Sequence, residues 1–248
     1  MDALLYSFLA GGSTVFGALL FVFVGAPGKR TMALLLGFAG GIMLALSVFE
    51  LMPEALELGT MTSTIIGFIF GCALLYLLDI YLPHAHMSTS DEMVVENAER
   101  TPTFDKSILR MGYLVFFGIA LHNVPEGLAI GAGLEASPEL GAAIALAIAL
   151  HNIPEGIAVA GPLRAGGLSV TKVAIFTFAA GMMTVVGAAL GLFLFALSPI
   201  FIGGALAFAA GAMVYIVNDE LIPQANSLHS HLANTGLIVG LLIGFVVL

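Results

Sequence analysis

Charge is what this chain lacks most. Only 9% of its 248 residues are charged, seven basic and 16 acidic, against roughly 25% in ordinary soluble domains. So few charges cannot clothe a soluble core, and the composition excludes a water-soluble globular protein. Cysteine is nearly absent. The single Cys72 excludes an intrachain disulfide and any cysteine-rich metal site, and in its apolar run it reads as a small buried hydrophobe. Basic residues are outnumbered, and the net charge of −9 disfavours nucleic acid as a partner while suiting a cationic one. The opening MDALLYSFLA has no basic residue ahead of its apolar run, so that run is expected to be a retained span and not a cleaved signal. What is present is hydrophobicity: 60% apolar residues and a mean hydropathy of +1.09. The chain reads as an integral membrane protein with the lipid bilayer as its solvent.

A spanning helix needs about 20 predominantly apolar residues. Such runs are expected at Leu4–Val24, Met32–Met52, Thr60–Leu82, Ile108–Leu134, Leu140–Ala160, Val173–Leu197, Ile200–Ile222 and Leu232–Leu248. Helices are expected because backbone groups in lipid must be satisfied within their own segment, and a barrel would read as alternation. All seven basic residues (Lys29, Arg30, Arg100, Lys106, Arg110, Arg164 and Lys172) follow the first, third or fifth span. Lysine and arginine accumulate on the cytoplasmic side, which puts both termini outside. The one long loop, 83–107, is polar and mixed in charge and reads as a cytoplasmic connection within a single transmembrane domain.

Against this background two stretches stand out. FFGIALHNVPEGLAIGAG and IALHNIPEGIAVAG put a histidine, an asparagine and a glutamate near the centres of the fourth and fifth spans. A charged residue such as aspartate costs about 2.5–3.5 kcal/mol at that depth even on a lenient scale, and such residues are functional by default. His122 and Glu126 stand at i and i+4 on one helix face, and His151 and Glu155 repeat the arrangement. Asn123 and Asn152 can add an amide oxygen. Imidazole with carboxylate suits a borderline divalent metal such as zinc. Pro125 and Pro154 deprive the carbonyls of Leu121 and Leu150 of their helical partners, so kinks are expected. Gly127 and Gly156 permit close approach of another helix or of water. One such motif could be a His–Glu pair gluing two helices; two copies at matching depth on antiparallel spans argue for a shared site.

A second repeat is more widely spaced. GGIMLALSVFELMPEA (Gly40–Ala55) resembles AGAMVYIVNDELIPQA (Ala210–Ala225) at a constant offset of 170, including the shared E-L-x-P. The two copies run in opposite directions through the bilayer. The fold expected is therefore all-α and polytopic, with eight helices in a 3+2+3 inverted-repeat arrangement, a symmetry common in secondary transporters. The inversion puts acids at both mouths: Glu50 with Glu54 and Glu57 outside, and Asp79, Asp219 and Glu220 inside. Acidic mouths concentrate cations. The pairs His84/His86 and His229/His231 are further candidates to take a departing metal.

The two HNxPEG motifs, the eight-span plan and the loop after span three resemble the ZIP (Zrt/Irt-like) divalent-metal transporters, and within them the bacterial ZupT-type branch. The resemblance covers nearly the whole chain. It implies that His122, Asn123, Glu126, His151, Asn152 and Glu155 line a transport site, with Met43 as a further soft ligand. Asp79, Asp219 and Glu220 would line an exit route and Glu50 an entry. It also implies carriage of zinc, iron, manganese or related ions into the cytoplasm across a bacterial inner membrane, homodimers in many members, and a movement of the central helices against the rest. One position departs: a glutamate common on span six is replaced here by Thr184 in GMMTVVGA. A threonine is a weak ligand, so one main metal is expected in place of two.

The expected activity is thus transport of a divalent metal as substrate, with no cofactor and no enzymatic reaction. Because the ligands must be deprotonated, uptake is expected to fall as pH drops through the histidine range. Two rivals use the same ligands: an intramembrane metal-dependent hydrolase, and metal efflux. No H-E-x-x-H and no serine–aspartate constellation supports the hydrolase. A metal sensor would need a soluble output domain, which the sequence lacks. Direction rests on the family resemblance alone.

Overall fold

The computed structural model describes residues 2–81, 85–86, 94–95, 108–197 and 201–247. Its helices are α1 (Asp2–Val24), α2 (Lys29–Ala45), α3 (Met52–Leu58), α4 (Met61–Tyr81), α5 (Ile108–Ala136), α6 (Pro138–Ala165), α7 (Val170–Leu197), α8 (Phe201–Ile216) and α9 (Ile222–Val247). Two π-helical segments, Leu46–Leu51 and Val217–Leu221, join α2 to α3 and α8 to α9. Within the polar loop, β1 (Ala85–His86) pairs antiparallel with β2 (Val94–Val95). The rest of that loop, including His84, Arg100 and Lys106, lies outside the described residues.

Six helical stretches among the described residues are long and apolar enough to cross a membrane: Asp2–Val24, Lys29–Leu58, Val115–Ala136, Pro138–Ala165, Val170–Phe193 and Phe201–Val247. Met61–Leu77 is apolar but shorter. The last stretch runs for 47 residues and contains both of the spans expected at its end. It is broken at His229, whose φ of −169° and ψ of 98° are extended. The His229 ring then accepts a hydrogen bond from the Leu232 amide (3.3 Å), capping the segment that follows.

Residue size is sorted inside out relative to a soluble protein. Large side chains such as Leu5, Phe23, Ile66, Phe193 and Val246 face outward. The interior is rich in alanine, with Ala33, Ala39, Ala45, Ala209, Ala210 and Ala212 fully buried. Lipid is as apolar as leucine, so helices gain nothing by hiding large side chains; small ones let backbones approach and add van der Waals contact. Gly11 on α1 and Gly181 on α7 meet this way, each lying against the other's carbonyl.

The helices form two groups. α1, α5, α6 and α7 pack on one another, while α4 pairs with α8 and α2 with α9. α5 also touches α8, bridging the groups. A tight turn sets the central pair antiparallel: Ser137 accepts from the Leu140 amide at 3.1 Å and Pro138 occupies the first turn, where its missing N–H costs nothing.

The prolines behave in two ways. Pro125 and Pro154 sit inside α5 and α6, which continue as helices past them. Departures from α geometry occur instead just before Pro53 and Pro223. There the Met52 amide donates to the Ser47 carbonyl and the Ile222 amide to the Val217 carbonyl, both five residues back. A wider turn accommodates a proline ring that would otherwise press on the carbonyl four residues earlier.

Candidate metal site

Antiparallel packing of α5 and α6 crosses the two motifs. His151 Nε2 stands 2.9 Å from Glu126 Oε1, and His122 Nε2 stands 3.4 Å from Glu155 Oε1, so each histidine faces the other motif's glutamate. All four side chains are 0–2% exposed. The first pair is a hydrogen bond; the second is an ion-pair distance without hydrogen-bond geometry, leaving both His122 nitrogens and both Glu155 oxygens unpartnered.

Ligand atoms of His122, Glu126 and Glu155 all lie within 4.8 Å of one another. Tetrahedral zinc would bring neighbouring ligand atoms to about 3.4 Å. A contraction on this scale lies within side-chain rotation. One imidazole and two carboxylates leave a position open and offset a divalent charge.

His151 has a different part. Its Nδ1 faces the Ala147 carbonyl at 3.1 Å and must be the protonated donor there. The hydrogen bond on its other face then needs a proton shared between Nε2 and Glu126. A metal held at Glu126 would displace that proton or leave His151 holding the carboxylate in place.

The asparagines are pinned by their amide nitrogens. Asn123 donates to the Ala180 carbonyl of α7 at 2.9 Å, and Asn152 to the Ala10 carbonyl of α1 at 3.1 Å. Their side-chain oxygens are buried without a partner. Next to each glutamate a glycine seats the same two helices: Gly127 carries the Thr184 carbonyl and Gly156 the Thr14 carbonyl, so closely that a methyl group would overlap them.

The remaining expected residues lie around this centre. Met43 is fully buried on α2, its carbonyl accepting the Ser47 hydroxyl at 2.8 Å. Glu50 lies in the first π segment and Asp219 and Glu220 in the second. Glu220 approaches α5 one turn before His122: a Cβ on Gly118 would stand 3.9 Å from its Oε1. Asp79 lies on α4, but its side chain is outside the described residues. His229 accepts the Leu232 amide at Nδ1 as a helix cap, with the His231 ring centroid 6.3 Å away.

Thr14 is the residue that motif reading passes over. Yet Ala10-Gly11-x-x-Thr14-Val15-x-Gly17-Ala18 matches Ala180-Gly181-x-x-Thr184-Val185-x-Gly187-Ala188, again 170 residues apart. The same offset joins Gly40–Ala55 to Ala210–Ala225, so α1 and α7 belong to the wider repeat.

A buried His–Glu cluster on crossed, duplicated helices fits a membrane transporter, and comparison with known proteins agrees. Residues 81–248 match the family model "Zip: ZIP Zinc transporter". The chain is 39% identical over 230 residues to the "Zinc transporter ZupT" of Escherichia coli O7:K1 (strain IAI39 / ExPEC), covering 91% of this chain and 87% of that one. The same values hold for the protein of that name from Escherichia coli (strain K12 / DH10B). The chain belongs to the ZIP zinc transporter family; it is a membrane transporter and not an enzyme.

Proposed function

We propose that this protein carries divalent metal ions, zinc foremost, across a bacterial inner membrane into the cytoplasm. The observation that carries the reading is the convergence of His122, Glu126 and Glu155 within 4.8 Å at a fully buried crossing of α5 and α6. One metal is held there by these three side chains, with His151 fixing Glu126. Asn123, Asn152 and Met43 complete the surroundings. Glu50 serves entry from outside, and Glu220, Asp219 and Asp79 serve release. Two carboxylates neutralise the ion in a low dielectric, so the loaded carrier crosses more readily than a bare charged site.

Eight crossings in a 3+2+3 plan fit this reading. The chain breaks at His229, and the segments on either side pack on different partners. Gly211 of α8 lies against Phe68 of α4, whereas Gly236 and Gly240 lie against Leu34 and Phe38 of α2. With the basic residues inside, both termini face out. Inward direction and a homodimeric assembly follow the family resemblance.

The test is zinc flux into liposomes followed with an internal dye, comparing wild type with Glu126→Ala and Glu155→Ala. Wild type is expected to load zinc and both variants to lose at least about 100-fold, more than outer partners of a metal site usually cost. Iron, manganese and cadmium competing on the same vesicles rank the ions. Wild-type vesicles that carry none of them would sink the proposal, and flux confined to the outward gradient would assign efflux.

A further inference from the structure

α9 breaks at His229, 170 positions after the break between α3 and α4 at Gly59. Gly59 closes α3 with φ of −128° and ψ of −140°. Each break follows a π turn, a proline and a short helical segment, Met52–Leu58 in one case and 222–228 in the other. The two are capped differently. After Gly59 hydroxyls do it: Ser63 Oγ accepts the Thr60 amide at 2.8 Å, and Thr60 Oγ1 accepts the Ser63 amide at 3.1 Å. After the other break an imidazole does it, with His229 Nδ1 accepting the Leu232 amide at 3.3 Å. Serine, threonine, asparagine and aspartate are the usual caps, so capping alone does not call for a histidine.

A second histidine stands beside it. Residues two apart on a continuous helix point to different faces. The extended backbone at His229 instead brings its ring centroid to 6.3 Å from that of His231. His231 is exposed and His229 half-buried, so solvent reaches both. Two imidazoles sharing a tetrahedral zinc through bonds of about 2.0–2.1 Å hold their ring centres roughly 5 Å apart. A rotation of the exposed His231 side chain covers the difference. The lone pair decides what such a metal would do. A nitrogen that accepts an amide hydrogen carries no proton, so neutral His229 keeps its proton on Nε2 and offers its one ring lone pair at Nδ1. A metal and the Leu232 amide therefore compete for the same atom.

We propose that His229 and His231 form a metal-responsive latch: a borderline divalent ion such as zinc bridges the two rings and takes His229 Nδ1 from the Leu232 amide. The amide turns to water, and no proton need leave because Nδ1 carries none. The site uses no residue of the α5–α6 crossing. The joint it controls is well defined. Beyond Leu232, α9 is seated on α2, with Gly236 and Gly240 against Leu34 and Phe38. Ahead of His229, residues 222–228 follow the π segment that holds Asp219 and Glu220. Metal at the rings uncouples that arm from the seated part. Ions that have reached the release side proposed above thereby loosen the arm that carries Glu220.

The test is hydrogen exchange of the purified full chain, read by mass spectrometry over overlapping peptides from 217–235, with and without zinc chloride. Zinc is expected to speed exchange of the Leu232 amide by about fivefold, the worth of one helix cap, and to speed exchange across 222–228 with it. His231→Ala keeps the cap and loses the bridge, so zinc should leave its exchange unchanged. His229→Ser supplies a cap without a metal-binding nitrogen, so Leu232 should stay protected in zinc. The Glu126→Ala, Glu155→Ala double variant lacks the proposed transport site and should respond as wild type does, which separates failure of the latch from failure of the transport reading. Wild type whose Leu232 exchange is unchanged or slowed by zinc overturns the proposal, whichever variants fold. A response that survives His231→Ala, or that vanishes in the double variant, assigns the effect to metal bound elsewhere and overturns it as well.

Discussion

Two kinds of acidic residue cross this molecule, and proline accompanies both. In the central pair, Glu126 and Glu155 are sealed from solvent and face histidines across a helix crossing. At the π segments, Glu50 and Glu220 are partly exposed. Pro125 and Pro154 precede the buried acids by one residue in unbroken helices, whereas Pro53 and Pro223 follow the outer acids by three and widen the helix around them. The difference teaches how one residue type serves two tasks. A binding site needs fixed ligands, and the α-helical frame with its crossed pairs supplies them. The approach route proposed for Glu50 and Glu220 needs carboxylates turned off the helical schedule, and a π turn shifts everything beyond it by one residue.

The sharpest way to break this comparison is to separate the roles within the central site. Glu126→Ala removes a proposed ligand and is expected to abolish zinc flux. His151→Ala removes only the group that holds Glu126, and is expected to weaken zinc binding about 10–100-fold while leaving a titratable single site. Isothermal titration on both variants decides it. Equal loss in both would make His151 a ligand in its own right.

Much of this was legible in the sequence. The HNxPEG pair, its depth and its i, i+4 spacing already pointed to the candidate ligands and their shared helix face, because helical geometry converts spacing into direction. The cross-pairing of His122 with Glu155 was not readable, since it depends on how α5 and α6 cross. Nor was the orientation of Asn123 and Asn152, whose partners are backbone carbonyls on helices far away in the chain. Proline was only half readable: its missing N–H marks where a helix must adjust, but sequence does not say whether a helix answers with a bend or with the wider turn seen before Pro53 and Pro223. Packing decides that. Thr14 is a different case, since its matching frame around Thr184 was plainly written at the same offset of 170 that joined Glu50 to Glu220.

The outer region is tested by returning its helix to the α schedule. Pro223→Ala restores an amide that can bond the Asp219 carbonyl, so the π segment at Val217–Leu221 loses its cause. Glu220 then turns away from Gly118 and His122. Zinc affinity at the central site is expected to hold, while flux falls by up to about 100-fold, what a misplacement of roughly 1 Å can cost. Equilibrium binding measured beside liposome flux separates the two. A variant losing affinity as much as flux would mean that Glu220 belongs to the binding site and the two regions are one.

The smallest expected effect asks whether the π turn rests on proline alone. Ser47 donates its hydroxyl to the Met43 carbonyl at the start of the first π segment, and its own carbonyl accepts the Met52 amide across the turn. The residue 170 positions on is Val217, which has no hydroxyl, yet the Ile222 amide reaches its carbonyl in the same way. The hydroxyl is therefore dispensable to the geometry. Ser47→Ala should cost ~0.5–1 kcal/mol in stability, the value of one modest hydrogen bond, and change flux by less than about twofold. Thermal melting and flux on the same preparation measure both. A large loss of flux would show that the outer segment is built differently from the inner one, and the symmetry between Glu50 and Glu220 would then be one of sequence without being one of mechanism.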